Sequence, residues 1–333
     1  MSTPRVLTST RGLSRPEWLE WRRRGLGGSD AAAALGLSPW TTRYALWLDK
    51  VGLAADGEPS EAMRLGTRLE QVICDEFQER TGYTVRRTHA IWQHPDHPWM
   101  LASPDRIIGI GGASRALNSD GPVRHGRGVL EAKSAHSFAA DEWEDEVPDH
   151  YMLQLQHTLA VTGLAWGAFA VLLGGNRFRW FHVDRDDDLT ASLVEAEGRF
   201  WRDHVVAGVA PDVAGADSAL LSRRHPRAAA GAAVDLPAAA GRWIVMRDLC
   251  AANEAAGRTD KQEYEAKLKE ALGDCEVGLL DGETVVTWKQ VSASRVDLPK
   301  LRENYPDAAE DCSVESISRR LHVPKPKKEP KNA

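Results

Sequence analysis

The sequence predicts an α/β protein in which helices cover both faces of a central mixed sheet, an α/β/α sandwich. Apolar runs at 165–173 and 178–183 are joined by Gly-Gly-Asn-Arg, a strong hairpin signal. A third short apolar strand is predicted at 128–133. Apolar residues recur at helical spacing in 61–82 and 148–163, on either side of that strand. Strands and helices therefore alternate along the chain, as a layered fold requires.

Composition and charge exclude several classes of protein. Hydrophobic residues make up 42% and charged residues 27% of the 333, as in soluble globular proteins. We expect no membrane partner, because no apolar run could span a bilayer and the first residues lack a signal-peptide core. The four cysteines are scattered without a CxxC pair, which favours a reducing compartment and disfavours zinc or iron–sulfur sites. The net charge of −6 does not indicate nucleic-acid binding, but residues 1–24 carry six arginines against two glutamates.

Two acidic residues and a lysine are predicted to meet at strand ends. Ser103-Pro104-Asp105 forms a turn that presents Asp105, and Glu131 and Lys133 project to the same side of the strand at 128–133. Two carboxylates form a hard cation site, and Mg²⁺ prefers few carboxylates together with waters and phosphates. Such an ion can activate water and stabilise charge on a phosphate. The alternative is an ordinary set of salt bridges on a surface strand.

The chain is predicted to begin with an irregular segment at 1–14, which an arginine-rich helix and a glycine-rich turn follow. Ser14 is expected to cap a helix that carries Trp18 and Arg22 and stops at Gly25. The turn Gly25-Leu26-Gly27-Gly28-Ser29-Asp30 then enters an alanine-rich helix, and its free N–H groups could bind an anion. A tight turn between helices, with Ser29 or Asp30 as an ordinary N-cap, is the alternative. A further helix is predicted to begin at 37–40, and a single strand to occupy 83–92.

Five motifs occur in a fixed order over residues 18–163. They are WLEWRRRGLGGSD at 18–30 with ALGLSPW at 34–40, GTRLE at 66–70, ASPD at 102–105, LEAK at 130–133 and YMLQLQ at 151–156. Together they resemble the YqaJ-like viral recombinase family, which is related to phage lambda exonuclease and to the PD-(D/E)XK nuclease superfamily. The resemblance implies the restriction-endonuclease-like form of the α/β/α sandwich. It also implies an exonuclease that degrades duplex DNA from 5′ ends and leaves 3′ single strands.

The resemblance assigns roles to individual residues. Asp105 and Glu131 would hold one or two Mg²⁺ ions, for which Mn²⁺ should substitute, and the Ala132 carbonyl would be a further ligand. Glu70 would lie nearby, at a metal-bound water or the second ion. Lys133 would position or deprotonate the attacking water, and Gln154 would orient that water or the scissile phosphate.

Partners follow from the same resemblance. Arg22 and Ser29 are the candidates for binding a 5′-phosphate, with Arg23 and Arg24 as competitors. Double-stranded DNA ends, a single-strand annealing protein and a homotrimeric ring are implied, in a bacterial or phage-infected cytoplasm. One alternative is an endonuclease or a RecB-like nuclease, although the iron–sulfur cysteines of some RecB-like relatives are missing. Another is a non-catalytic DNA-binding recombination factor, which the intact Asp105, Glu131 and Lys133 argue against.

The C-terminal third looks like an appendix to this nuclease. We expect a nuclease domain at 1–210, an Ala/Gly/Pro-rich linker at 211–241, and a helical hairpin with a small α+β extension at 242–323. Gly257 is the position at which the hairpin would turn. A basic tail at 324–333 is expected to be disordered.

Overall fold

We describe the fold from a computed structural model of the chain. It describes residues 4–54, 60–109, 126–227, 233–281, 283–290, 296–314 and 321. The chain divides into two compact units, Met1–Leu221 and Ser222–Ala333, and each is described by itself. No helix in these ranges is long and apolar enough to cross a membrane.

The elements of the first unit alternate between helix and strand. In chain order they are β1 (Arg5–Ser9), α1 (Arg15–Arg23), α2 (Ala31–Ala34), α3 (Arg43–Lys50), α4 (Glu61–Thr81), β2 (Val85–Arg86), β3 (Ala90–Gln93), β4 (Leu101–Ala102), β5 (Arg106–Ile108), β6 (Gly128–Ala135), α5 (Asp149–Thr162), β7 (Trp166–Leu173), β8 (Arg177–Asp184), α6 (Asp187–Phe200) and α7 (Ser218–Arg224), the last reaching into the second unit. A π-helical segment, Trp201–Val206, continues α6.

The central sheet is mixed, as predicted. Its strands in the described part of the unit follow the order β2-β5-β6-β7-β8. Strands β6 and β7 are parallel, with Glu131 opposite Phe169, and the other neighbours are antiparallel. The parallel pair needs a crossover, which α5 supplies, and the β7–β8 hairpin turns at Gly174 and Gly175 with φ of +58° and +82°. The predicted fold class is therefore confirmed.

Each face of this sheet packs against a long helix. Because side chains alternate along a strand, Val129 of β6 faces α5 and Leu130 faces α4. The α5 side buries Leu155 and Leu159 against Phe169, and the α4 side buries Ile73 and Phe77 against Trp166 and Ala168. Glu131 and Lys133 have the same parity as Val129, so the alternation puts both on the α5 side. A polar connection rich in Gly, Ser and Asn is predicted at 111–127, and its residues 111–125 lie outside the described residues.

A smaller antiparallel sheet, ordered β1-β3-β4, corrects two expectations about the early chain. Residues 1–14 were expected to be irregular, but β1 pairs with β3 through Arg5 and Gln93. The single strand predicted at 83–92 is two strands in different sheets, since His89 between them has φ +48°. A bulky residue in the left-handed region breaks a strand, and no alternation of polarity reports it.

A third cluster fixes the glycine-rich turn. Leu26 is fully buried among Ala33, Leu46, Leu48 and Phe200, so α2, α3 and α6 hold the turn from one side. Its N–H donates to the carbonyl of Trp99 at 2.7 Å, and its carbonyl accepts from the N–H of Leu101 at 2.8 Å. The turn is thereby joined to β4, the strand that leads to Asp105.

The second unit contains α8 (Ala240–Leu272), β9 (Val277–Leu280), β10 (Glu283–Thr287), α9 (Leu298–Asn304) and α10 (Pro306–Asp311). The expected helical hairpin is wrong, because α8 runs through Gly257 without a break. One glycine in a helix costs only about 1 kcal/mol. Hydrogen bonds from Arg258 to Glu254 and from Thr259 to the Ala255 carbonyl continue the helix there.

The limits of the predicted domains remain predictions. The compact first unit ends at Leu221, eleven residues beyond the expected boundary at 210. Helix α7 begins inside the segment predicted as a linker, and Asp217 before it is buried and accepts a hydrogen bond from Thr42. The basic tail at 324–333 lies outside the described residues.

Candidate active site

Strand β6 carries the centre of the candidate site. Glu131 is 3% exposed, and its Oε2 lies 3.3 Å from the Lys133 ammonium. Both side chains leave the strand on the α5 side because they are two residues apart. A central strand with neighbours on both edges holds them rigidly in place.

The turn before β5 brings Asp105 to the same place. Arg106 pairs with Leu130 in the sheet, so the turn just before it lies beside the next residues of β6. Asp105 Oδ2 accepts the backbone N–H of Ala132 at 2.9 Å. This bond fixes the carboxylate of Asp105 against the backbone of β6, at the residue between Glu131 and Lys133.

Gln154, from the second turn of α5, completes the group. Its Nε2 donates to Glu131 Oε2 at 2.6 Å, and its Oε1 accepts from Lys133 Nζ at 3.1 Å. The amide thus bridges the carboxylate and the ammonium. The structure thus brings Asp105, Glu131, Lys133 and Gln154 together, and their catalytic and metal-binding roles stay predictions.

Burial and like charge shape the titration of this group. Burial, and then the neighbouring Asp105 carboxylate, raise the pKa of Glu131 to about 8. Burial also raises the pKa of Asp105, against the influence of Lys133. Burial alone would lower the pKa of Lys133, but Glu131 and Asp105 outweigh it and raise that pKa. Lys133 is therefore protonated at neutral pH in the absence of another cation.

This donor set fits a hard divalent cation. Two carboxylates that are hard to ionise side by side are stabilised by a cation between them, and oxygen ligands are what Mg²⁺ prefers. Asp105 and Glu131 would hold it. A ligand role for the Ala132 carbonyl stays a prediction.

Glu70 occupies a different environment from the other predicted site residues. It lies on α4, and its carboxylate binds the guanidinium groups of Arg106 and Arg87. In the ranges that the structure describes, no three His, Cys, Asp or Glu side chains are arranged to hold a metal together. Glu70 still lies close enough to raise the pKa of Asp105, after burial and against Lys133. Its role at a second ion or a metal-bound water stays a prediction.

Arg106 is the contact that the sequence did not reveal. It is 4% exposed, and it joins Glu70 to the carbonyl of Asp105, to which its Nη1 donates at 2.7 Å. It also donates to Gln71 Oε1 at 2.9 Å. An arginine inside an apolar strand needs a partner, and this was the only signal available in the sequence.

Arg22 and Ser29 face each other across the glycine-rich turn. Arg22 Nη2 donates to Ser29 Oγ at 2.9 Å and to Asp30 Oδ1 at 3.0 Å. Lys50, whose side chain is fully buried, lies 2.6 Å from the other oxygen of Asp30. Although burial opposes ionisation, Lys50 and Arg22 hold the pKa of Asp30 well below its usual range. The side chains of Arg22, Asp30 and Lys50 together carry one net positive charge.

The neighbouring arginines point to other partners. Arg23 lies 3.4 Å from Asp49, and the Arg24 guanidinium lies 3.9 Å from the centre of the Trp21 ring. Arg22 alone among the three lines the cavity described next.

One cavity of about 230 Å³ joins the two groups of residues. Its lining includes all of the following: Arg22, Ser29, Asp105, Glu131, Lys133 and Gln154. A cation-binding acidic pair and a cationic, hydroxyl-bearing turn thus share one chamber. This arrangement can hold a phosphodiester beside a metal ion while a second phosphate occupies the turn.

Comparison with known proteins gives the chain its family. Residues 17–165 match the YqaJ-like viral recombinase domain. The chain is 37% identical over 324 residues to the uncharacterized protein YqaJ of Bacillus subtilis (strain 168), covering 96% of this chain and 97% of that one. The chain belongs to the YqaJ-like viral recombinase family. The resemblance seen in the sequence is confirmed.

The chain is also similar to solved exonuclease structures. An alkaline exonuclease, LHK-Exo from Laribacter hongkongensis, is 21% identical with a TM-score of 0.45, over 58% of this chain and 94% of that one. A phage-related exonuclease from Haemophilus somnus 129PT is 12% identical with a TM-score of 0.39, over 55% of this chain and 96% of that one. The segment that matches the YqaJ-like family contains every candidate site residue, from Arg22 to Gln154.

Proposed function

We propose that the protein is a divalent-cation-dependent exonuclease that digests duplex DNA from its 5′ ends in phage-type recombination. The observation that carries this proposal is the shared cavity, in which an acidic pair with a lysine and a glutamine faces the turn of Arg22 and Ser29. Membership of a viral recombinase family supports the DNA substrate. The product would be a 3′ single strand, the substrate of an annealing protein.

The side chains divide the work by charge. Asp105 and Glu131 would hold Mg²⁺, or Mn²⁺ in its place. When bound, such an ion would supply positive charge that stabilises negative charge on the phosphodiester. The bonds of Gln154 to Glu131 and Lys133 use one of its two amide N–H donors and one of its two carbonyl lone pairs, so one of each is left to orient water or a phosphate oxygen while the amide holds Lys133 in place.

Lys133 acts first as a fixed positive charge. A protonated amine cannot accept a proton, so its raised pKa favours orienting and charge-stabilising roles over that of a general base. Neutralising the two carboxylates with a cation would lower this pKa again, because they are the groups that raise it. Lys133 would therefore be able to accept a proton from water only when a cation is bound to the two carboxylates.

The turn of Arg22 and Ser29 would bind the 5′ end of the DNA strand that is digested. A guanidinium has five N–H donors, and Arg22 uses only one nitrogen in its bonds to Ser29 and Asp30. The remaining donors, with the net positive charge of the cluster, suit a terminal 5′-phosphate. Binding of that phosphate would set the 5′-to-3′ direction. The protein would act as a homotrimeric ring around DNA, and its molecular mass in solution tests this oligomeric state.

The test is digestion of linear duplex DNA with a 5′-phosphate or a 5′-hydroxyl, in Mg²⁺ or in EDTA. A covalently closed circle runs alongside. We expect Mg²⁺-dependent digestion of the linear DNA, faster from the phosphate, with the circle intact. Lys133→Ala should abolish digestion, and the exposed Lys261→Ala on α8 should not.

Matched arginine variants test the end pocket. Arg22→Gln should reduce the preference for 5′-phosphate by about 10- to 100-fold, the loss expected for charge-assisted hydrogen bonds. Arg23→Gln should keep the preference, because Arg23 pairs with Asp49. Cutting of the circle would indicate an endonuclease instead. Absence of digestion under every condition would leave a non-catalytic DNA-binding factor.

A further inference from the structure

An exposed tryptophan lies beside the proposed 5′-phosphate turn. The Trp40 side chain is 68% exposed, although large aromatic rings usually bury most of their surface. Its backbone is fixed, because Ser38 Oγ accepts the N–H groups of Trp40 at 3.2 Å and Thr41 at 3.1 Å. The indole is thus held in position with much of its surface uncovered.

Two side chains from the start of α5 support the indole. The His150 ring meets it edge-on, with centroids 4.6 Å apart and planes at 89°, and the Tyr151 ring lies 5.6 Å away. His150 and Tyr151 are themselves 4.2 Å apart. We call Trp40, His150 and Tyr151 the aromatic shelf.

The aromatic shelf shares a cavity with the proposed phosphate site. This cavity, of about 370 Å³, is lined by the three shelf residues and also by Arg22, Ser29 and Gln154. The Lys133 ammonium lies 5.3 Å from the centre of the Tyr151 ring, so Tyr151 contacts both Trp40 and the reaction site. Helix geometry explains this placement, since His150 and Gln154 are one turn apart, about 6 Å along the axis.

One buried polar atom of the aromatic shelf, His150 Nε2, has no hydrogen-bond partner in the described part of the chain. Burial lowers the pKa of this histidine, so its ring is neutral at physiological pH. Buried polar atoms are normally satisfied, and one that is not indicates a place for a ligand or a water.

We propose that Trp40 stacks on the base of the 5′-terminal nucleotide of a DNA strand, with His150 and Tyr151 behind it. This inference rests on the proposed function, because it places the phosphate of that nucleotide on Arg22 and Ser29. Stacking would be tolerant of sequence, since every base presents a π-face, and it is worth about 1–3 kcal/mol per base. The aromatic shelf therefore adds affinity for an unpaired 5′ end without adding base specificity.

The test compares two DNA probes that differ only in the terminal base. Both carry a 5′-phosphate on a short single-stranded overhang, and one has an abasic analogue at the terminal position. Binding is measured by fluorescence anisotropy in EDTA at one salt concentration, because affinity for DNA depends strongly on salt. Wild type should bind the base-bearing probe about 5- to 100-fold tighter than the abasic probe.

Variants decide whether Trp40 is responsible. Trp40→Ala should reduce this ratio to about 1, Trp40→Phe should keep most of it, and Trp243→Ala, which removes a tryptophan of similar exposure from α8, should keep all of it. Equal weakening of both probes by Trp40→Ala would mean that the indole only supports the fold, and would overturn the proposal. So would a ratio that survives Trp40→Ala.

Failure of the aromatic shelf and failure of the nuclease give different results. A protein that digests 5′-phosphorylated DNA but binds both probes equally has the nuclease activity without the shelf. A protein that binds the base-bearing probe more tightly, in a Trp40-dependent way, yet digests nothing has the shelf without the nuclease.

Discussion

Gly28 is the position at which the proposed phosphate turn touches α5. A Cβ added there would lie 2.7 Å from Thr158 Oγ1 and 2.9 Å from the carbonyl oxygen of Gln154. At Gly27, the residue before it, an added Cβ would come no closer than 3.6 Å to any atom, an ordinary contact. Gly28→Ala and Gly27→Ala therefore make the same chemical change at adjacent positions with different consequences.

The clash at Gly28 cannot be relieved by a side-chain rotation. One obstructing atom belongs to the α5 backbone, and the other is bound to it, since Thr158 Oγ1 donates to the Gln154 carbonyl at 2.9 Å. The turn and the helix must then separate by several tenths of an ångström. Overpacking of this kind costs about 1–3 kcal/mol. For a compact unit of the length of Met1–Leu221, each kcal/mol lowers Tm by about 2–4 °C.

Gly28→Ala should reduce the rate of DNA digestion even at temperatures at which the variant is still folded. Separation of the turn from α5 moves Ser29 away from Gln154. A misplacement of about 1 Å in a reaction site can cost about 100-fold in rate, so a shift of several tenths of an ångström should cost roughly 10-fold. The assay measures Tm and the rate of digestion of 5′-phosphorylated DNA for Gly28→Ala, Gly27→Ala and wild type. Equal Tm and equal rates for the two variants would refute the close contact between turn and helix.

Three further predictions concern buried groups. His157 donates to Glu197 at 2.9 Å and to the Leu101 carbonyl at 2.8 Å. Burial alone would lower the pKa of His157, but Glu197 outweighs it and raises that pKa. The stabilisation by protonated His157 is therefore complete below about pH 6.5 and is lost as pH rises through the pKa of the folded state. Urea unfolding should therefore show wild type losing stability above about pH 6.5 by a component that His157→Gln lacks, and identical pH profiles would contradict this. Mg²⁺ should raise the Tm of wild type, by the equivalent of about 2.7 kcal/mol at 100 times Kd, and should not raise that of Asp105→Asn; an equal rise in the exposed control Asp75→Asn and in Asp105→Asn would place the ion elsewhere. A thiol reagent should label the exposed Cys250, Cys275 and Cys312 in the native protein and Cys74 only after unfolding, because Cys74 is buried and burial raises the pKa of its thiol to about 12; rapid labelling of a fourth native thiol would show that α4 opens.

The convergence of Asp105, Glu131 and Lys133 could be predicted because it depends on short-range geometry. Two residues of one strand with the same parity must share a face, and a turn before the neighbouring antiparallel strand must return to it. Gln154 needed more than geometry. Its helix shows many apolar positions, and only the order of family motifs singled out that residue among its neighbours.

The environment of Glu70 could not be predicted, because it depends on side chains from two other segments. Arg87 and Arg106 are far from Glu70 in sequence, and both bind its carboxylate. Helix α8 was missed for a different reason. A single glycine destabilises a helix only slightly, and the side-chain hydrogen bonds of Arg258 and Thr259 keep the helix continuous at Gly257. Trp40 is a third case, since an aromatic residue at the start of a helix gives no sign of whether it packs inward.

The net charge of −6 is a poor guide to partners because a bound cation changes the charge of the site. Without a cation, the raised pKa of Glu131, about 8, keeps that carboxyl mostly protonated at neutral pH, so Asp105 and Lys133 leave a net charge close to zero. A divalent cation on the two ionised carboxylates would bring the net charge of the loaded site to one positive unit, while the cluster of Arg22, Asp30 and Lys50 is positive throughout. Two positive centres along one cavity would then match two phosphates of one strand. The cation would thus decide both chemistry and binding at the scissile phosphate, whereas the terminal phosphate could bind without it.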